Sequence, residues 1–205
     1  MSELKDTYKT IEKPFKGEMF KDRGSKFYGY AYPISSEDEV KPIIEKLKKE
    51  HHTARHWCYA WQLGTTKIRY RANDDGEPSN SAGPPIYGQI QAFDVTNILV
   101  IVVRYFGGTK LGVGGLMNAN KTGSKLALEA ATILEKTIDR IFVITFDYKD
   151  MNKVMRVVKE KNLTISAQTL ELNCQYTIPV RKKDAQHIFD IFSNIYGVTI
   201  KELED

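Results

Sequence analysis

The chain has 205 residues, room for one large domain or two small ones, and its 41% hydrophobic and 11% aromatic content excludes wholesale disorder. No apolar run approaches bilayer length and the opening MSELKDTYKT lacks a secretory apolar segment, so a cytoplasmic protein without membrane association is expected. The net charge of +4 excludes a dedicated polycation; residues 139–205 hold ten basic and ten acidic side chains, so the basic excess lies entirely in 1–138.

In chain order, residues 8–32 contain short strand-like runs around a turn at Lys21–Gly24. Val40, Ile43, Ile44 and Leu47 form a helical stripe preceded by Ser36 and Glu39 at capping-box spacing, and Pro42 either kinks that helix or marks its start. HWCYAWQLG and KIRYRA predict two strands joined at Gly64. Residues 73–88 are dense in Asn, Asp, Gly, Pro and Ser and predict a loop, with QIQAFD ending a short helix. NILVIVVRYF is a continuous apolar run, the signature of a strand buried on both faces. Five of the 14 glycines then fall within RYFGGTKLGVGGLMNA, before a helix with Leu116, Leu126, Ala127, Ala130 and Leu134 available to the core.

A boundary is expected near Thr137–Asp139, giving domains 1–138 and 139–205. The second reads as strand (RIFVITFDY), helix (Met151, Val154, Met155, Val158, with Asp150 as cap) and strand (Leu163, Ile165, Ala167). Then follow a strand (Tyr176, Ile178, Val180), a helix (Ala185, Ile188, Phe189, Phe192, stopped at Gly197) and a strand (VTIKELE). This is the ferredoxin-like βαββαβ order of an α+β fold.

Two loops can carry chemistry. The glycine loop follows a buried strand and opens a helix, a place where backbone N–H groups meet anions. It matches neither phosphate fingerprint, since Gly112, Gly114 and Gly115 read GxGG and Gly123 lacks a following Lys. Two readings stay open: tight strand–helix packing, or an anion or nucleic-acid surface formed by Arg104, Gly107, Gly108, Lys110, Gly112, Gly114, Gly115, Lys121 and Lys125. Asp74, Asp75 and Glu77 place three carboxylates within four residues, readable as a metal or acid–base site or as turn chemistry, and the turn is preferred. His51, His52, His56 and Cys58 lack the spacing of a zinc site, so neither metal nor cofactor is expected. Cys58 and Cys174 are expected to remain unpaired thiols.

HWCYAW, DDGEPSNSAGPPI and VVRYFGGTKLGVGGLMNA, in this order, resemble the IMPACT/YigZ family in the two-domain form of its bacterial members. His56, Asp74, Asp75, Gly76, Glu77, Pro78, Gly83 and Arg104, with the loop glycines and Lys110, match the family pattern. Asn120 and Lys121 depart from it, standing where an aromatic and a small polar residue are common. The resemblance implies a first domain like the second domain of a small-subunit ribosomal protein, which also occurs as domain IV of elongation factor G, and a second like domain V of that factor. In eukaryotes the family regulates translation through a starvation-responsive kinase pathway.

The preferred expectation is a monomeric cytoplasmic binding protein acting in regulation of translation, with RNA or the ribosome, or a protein, as partner. The other is an enzyme acting on a small phosphorylated or peptide substrate in a cleft between the acidic and glycine-rich loops. Convergence of His56 and the carboxylates in a closed pocket would favour the enzyme, and an open basic surface at the glycine loop would favour binding.

Overall fold

The computed structural model describes residues 6–171 and 173–203. It is an α+β chain of two compact units, residues 8–136 and residues 137–203 with Asp6 and Thr7.

The first unit is built on β1 (Thr7–Thr10), β2 (Phe15–Lys16), β3 (Phe20–Asp22), β4 (Ser25–Pro33), α1 (Val40–Glu50), β5 (His56–Leu63), β6 (Arg69–Asn73), α2 (Gly83–Ala92), β7 (Ile98–Tyr105), α3 (Gly112–Ala130) and β8 (Leu134–Thr137). β2, β4, β7, β5 and β6 lie in that order in one antiparallel sheet, with β3 also paired to β4, while β1 pairs with β8. Every residue of β7 except Tyr105 is buried, as its unbroken apolar run predicts for a central strand covered on both faces.

The two faces of this sheet are chemically different. Phe27, Ala31, Cys58, Ala60, Val100 and Val102 pack with α2 and α3. The helix comes so close there that a Cβ on Gly29 would lie 2.0 Å from the Gly123 carbonyl oxygen. The opposite face carries large rings, Tyr28, Tyr30, Tyr32, Trp57, Tyr59 and Trp61, which stand with Leu99, Ile101 and Val103 between the sheet and α1. At the end of α1, His51 is bonded through Nε2 to the Tyr30 hydroxyl (2.6 Å) and through Nδ1 to that of Tyr105 (2.8 Å). Burial pushes the Tyr30 hydroxyl up to about 12.

The Glu39 carboxylate accepts the backbone N–H groups of Ser35 and Ser36, the acceptor half of the expected capping box. A 3-10 turn at Glu37–Glu39 precedes α1, and Pro42 sits in that helix's first turn without breaking it. Two expectations for this unit are corrected. The loop after β6 ends at Ala82 rather than residue 88, because Pro84 and Pro85 occupy the first turn of α2, where no N–H is needed. α3 stops at Ala130, leaving Ala130 exposed and Leu134 in β8, while Leu128 joins the expected Ala127 as a buried residue of the last turn. Gly17, unremarked in the sequence, passes so close to α3 that a Cβ would meet the backbone of Leu126 and Ala127 at 2.6 Å.

The second unit follows the split βαβ order: β9 (Asp139–Asp147), α4 (Met151–Glu160), β10 (Ala167–Leu170), β11 (Asn173–Arg181), α5 (Ala185–Ser193) and β12 (Val198–Leu203). Its sheet order is β10-β11-β9-β12, all antiparallel. Phe142, Ile144, Phe146, Cys174, Tyr176, Ile178 and Val180 meet Val154, Val157, Ile188 and Phe192 in one core. Asp150 stands at the N-cap position of α4 as expected, but its side chain makes no capping bond; its buried carboxylate takes Lys153 at 2.6 Å. Leu163 and Ile165 precede β10 rather than belonging to it, packing against the core from the α4–β10 connection. Gly197 does not stop α5, which ends at Ser193; with φ +83° it turns the chain into β12. Glu204, the end of the expected last strand, lies outside the described residues.

Candidate functional site

Strand register assembles the site. Phe27 of β4 and His56 of β5 both lie opposite Arg104 of β7, so the three share one end of the α2/α3 face. Arg104 is only 5% exposed. Its Nη1 donates to Glu77 Oε1 at 2.6 Å, its Nη2 stands 3.5 Å from Ser25 Oγ, and the guanidinium lies 5.6 Å from the ring centres of Phe27 and Phe106. Glu77 is equally enclosed. A buried guanidinium without a carboxylate would be strongly unfavourable, so each of the pair holds the other in place.

The acidic loop is organised around its own backbone. Asp74 Oδ1 accepts the N–H groups of Ala82 and Gly83 (2.9 and 2.8 Å) and Oδ2 that of Asn80 (2.8 Å), so Asp74 closes the loop and places negative charge at the start of α2. Asp75 adopts φ +43° and Gly76 φ +81°, a left-handed pair that reverses the chain over the start of β5. There Asp75 Oδ2 accepts the Trp57 N–H (2.7 Å), because β6 ends at Asn73 and leaves that donor without a ladder partner. Asn73 Oδ1 accepts the Asp75 N–H, and the Pro78 carbonyl accepts both the N–H and the hydroxyl of Ser81. The Asp75 carbonyl accepts His56 Nδ1–H at 2.9 Å, which fixes the ring with Nε2 3.8 Å from Glu77 Oε1. Cys58 donates its thiol to the Asp74 carbonyl (3.0 Å), and burial pushes that thiol far above its ordinary value, so it is a packed, protonated group rather than a nucleophile.

The glycine loop divides. A Cβ on Gly107 would lie 1.9 Å from the Gly24 carbonyl carbon, so Gly107 is a contact between two turns, fixed further by its N–H donating to Ser25 Oγ (3.1 Å). Gly115 faces Leu111. A methyl group on Gly108, Gly112 or Gly114 would meet nothing within 4 Å, and the first two have φ +87° and +73°. α3 begins at Gly112 with no side chain capping it and no acidic residue in its first turn. The loop thus contains both a packing device and open backbone, at different glycines.

Of the expected cations, Lys110 is exposed in the loop itself. Lys121 and Lys125 are also exposed but stand roughly 14 and 20 Å along α3 from its first residue, and Lys125 pairs with Glu129 at 3.4 Å. Arg104 is not a free cation, since its guanidinium belongs to Glu77. His51 and Cys58 lie on opposite faces of the sheet, and His52 is exposed.

Three contributors were not singled out from the sequence, and a fourth was noted there only as a departure from the family pattern. Ser25 joins Arg104 to Gly107, Asn73 holds Asp75, and Phe106 covers Arg104 while remaining 45% exposed. Asn120 is buried on α3 and donates through Nδ2 to the carbonyls of Leu116 (3.0 Å) and Ser81 (3.4 Å), linking α3 to the acidic loop. The signal for Asn120 was present as its departure from the family pattern; a polar residue at an aromatic position needs a polar partner. Ser25 and Asn73 carry no comparable local signal.

Comparison with known proteins covers most of the chain. Residues 23–128 match the Impact N-terminal domain. The chain is 30% identical over 178 residues to the IMPACT family member YvyE of Bacillus subtilis, spanning 87% of this chain and 82% of that protein. It is 34% identical over 119 residues to the IMPACT family member YigZ of Escherichia coli, spanning 57% and 58% of the two. In fold it is similar to the crystal structure of a hypothetical protein, with a TM-score of 0.72 and 22% identity over 98% of this chain and all of that one. The matched segment contains His56, the acidic loop, Arg104 and the glycine loop, and this chain belongs to the IMPACT family.

Proposed function

We propose that this protein is an RNA- or ribosome-associated binding protein with a role in regulation of translation, and that the open backbone of the glycine loop and the start of α3 is its phosphate-contacting surface. The observation that carries this reading is the bare stretch Gly108, Gly112 and Gly114, without neighbours, at an uncapped helix start beside exposed Lys110. Backbone N–H groups in such a place donate to phosphate oxygens without reading bases, and the helix dipole adds to the attraction. We read the first unit as a fold like the second domain of a small-subunit ribosomal protein, and the second as ferredoxin-like, the pairing found in domains IV and V of elongation factor G. That analogy of fold supports the ribosome as partner.

Binding should be sequence-tolerant, steeply salt-dependent and of order 10⁻⁴–10⁻⁶ M at physiological salt. The test compares RNA titrations of wild type, Lys110→Ala, Gly114→Ala and Gly88→Ala at several salt concentrations. Gly88 is a helix glycine with equally open space, in α2, so it controls for the substitution itself. Lys110→Ala should weaken every sequence alike and lower the salt slope by about one. Gly114→Ala should weaken binding while Gly88→Ala does not. No RNA affinity in wild type at low salt rejects the reading.

One observation favours an enzyme: half-buried His56, fixed through Nδ1, places its Nε2 3.8 Å from the Glu77 carboxylate. A panel of phosphate esters and peptides, assayed with wild type and His56→Gln, decides it; turnover lost in the variant would support catalysis, and no turnover in wild type would reject it.

A further inference from the structure

The other face of the first unit carries a second surface. Between α1 and strands β5 and β6 lies an open groove of about 340 Å³. Its floor is Trp57, Tyr59 and Trp61, spaced two apart on one side of β5, and Val40 and Ile44 of α1 form one wall. Both indole N–H groups lack an acceptor, so no hydrogen bond locks either ring. The far wall is Arg71 of β6, and β6 is the last strand of the sheet, paired only with β5 among the described residues. An unpaired strand edge next to a groove under a helix is the arrangement into which an extended chain adds as a further strand.

The charges select the occupant. Within the groove they balance, three cations (Lys41, Lys48, Arg71) against three carboxylates (Glu37, Glu45, Asp75), with Arg71 facing Glu37 at 3.4 Å and Lys48 facing Glu45 at 3.7 Å. A polyphosphate chain gains little there, whereas a neutral apolar side chain meets three aromatic rings. Beyond the groove, at the hairpin end of the same edge, Lys67 and Arg69 are exposed and no ion pair joins either to the described residues. Self-pairing of two β6 edges would bring Lys67, Arg69 and Arg71 against their own copies, a like-charge contact that opposes pairing between copies of this chain. An acidic strand meets no such penalty.

We propose that the β6 edge and its adjoining groove dock an extended, acidic peptide segment of a partner protein, which adds antiparallel to β6, places large apolar residues toward the groove and sets carboxylates opposite Arg69 and Lys67. The surface is separate from the glycine loop, and its readouts, tryptophan emission and exchange along β6, lie in the groove and not at that loop, so either reading can fail without the other.

The chain's two tryptophans both line the groove, so their emission reports its occupancy directly. The probe is the blocked peptide LTLTETE, titrated into the full chain with tryptophan emission and amide exchange of residues 69–73 recorded together. Saturable change in emission and slowed exchange along β6 are expected. Binding should fall at least tenfold for LTLPETE, which cannot complete the ladder, and for the charge-reversed LTLTKTK. Arg69→Glu, an exposed substitution, should lose LTLTETE and gain LTLTKTK; if that variant does not fold, Lys67→Glu replaces it. The proposal is overturned if emission is unmoved at millimolar peptide, if binding leaves β6 exchange unchanged, or if the charge swap has no effect. It is equally overturned if decauridylate, rather than the peptide, moves the emission, or if β6 is already protected by dimerisation of the free chain.

Discussion

The acidic loop and the glycine loop flank the same end of one sheet, and both are motif-rich, but they use their polar groups in opposite ways. In the acidic loop every carboxylate of Asp74, Asp75 and Glu77 is bonded inward, to backbone N–H groups or to Arg104. In the glycine loop Gly107 is bonded and enclosed, while Gly108, Gly112 and Gly114 face open space. A cluster of charged residues is therefore the scaffold here, and a stretch without side chains is the candidate surface. Density of chemically capable groups is a poor guide to a site until the partners of each group are known.

The sharpest way to break this comparison is the ion pair beneath both loops. Glu77→Ala leaves Arg104 buried without its carboxylate, and loss of one member of a buried pair typically costs about 3–5 kcal/mol. Urea unfolding should show a loss of this order; a loss under about 1 kcal/mol would mean that Arg104 readily finds water and that the scaffold reading is mistaken. Gly107→Ala comes next. Its methyl would overlap the backbone of Gly24, where no flexible side chain can move away, and overpacking of this kind costs about 1–3 kcal/mol or more. The same substitution at Gly114 should do the reverse, so the pair separates packing glycines from open ones.

Asp74→Ala removes the acceptor of three backbone donors at the start of α2. Losing a helix-start acceptor typically costs about 0.5–2 kcal/mol, and the melting temperature should fall by the same amount with or without millimolar Mg²⁺ or Ca²⁺. Metal that stabilises wild type but not the variant would make the loop a metal site after all. The smallest effect is a gain. Gly114 lies in the first turn of α3, has no positive φ and meets nothing, so Gly114→Ala should raise stability by about 0.4–1 kcal/mol. Thermal melting of Gly114→Ala beside Gly88→Ala measures it, and a destabilised Gly114→Ala would show that the open space is filled in solution.

Much of the architecture was legible because it repeats locally. The unbroken apolar run of β7, the alternation of Tyr176, Ile178 and Val180, and the stripe at Val40, Ile44 and Leu47 each state which face is buried. The misread ends have equally local reasons. Two prolines disguised the first turn of α2 as loop, and Gly197 acts four residues beyond the end of α5. At the site, residue types identified the two loops, and turn chemistry at Asp74 and Asp75 was preferred on their types alone.

What the sequence by itself determined is which segments are strands and helices, where each hides its apolar side, and which two loops are rich in motif residues. Those properties follow from the order of neighbours along the chain. The tertiary structure alone decided that Arg104 belongs to Glu77, 27 residues earlier, and that Ser25 reaches the glycine loop across 82 positions. It also decided which glycines touch backbone and which stand open. Those outcomes depend on strand register and on distances between segments remote in the chain, and no local pattern encodes how closely two such backbones approach.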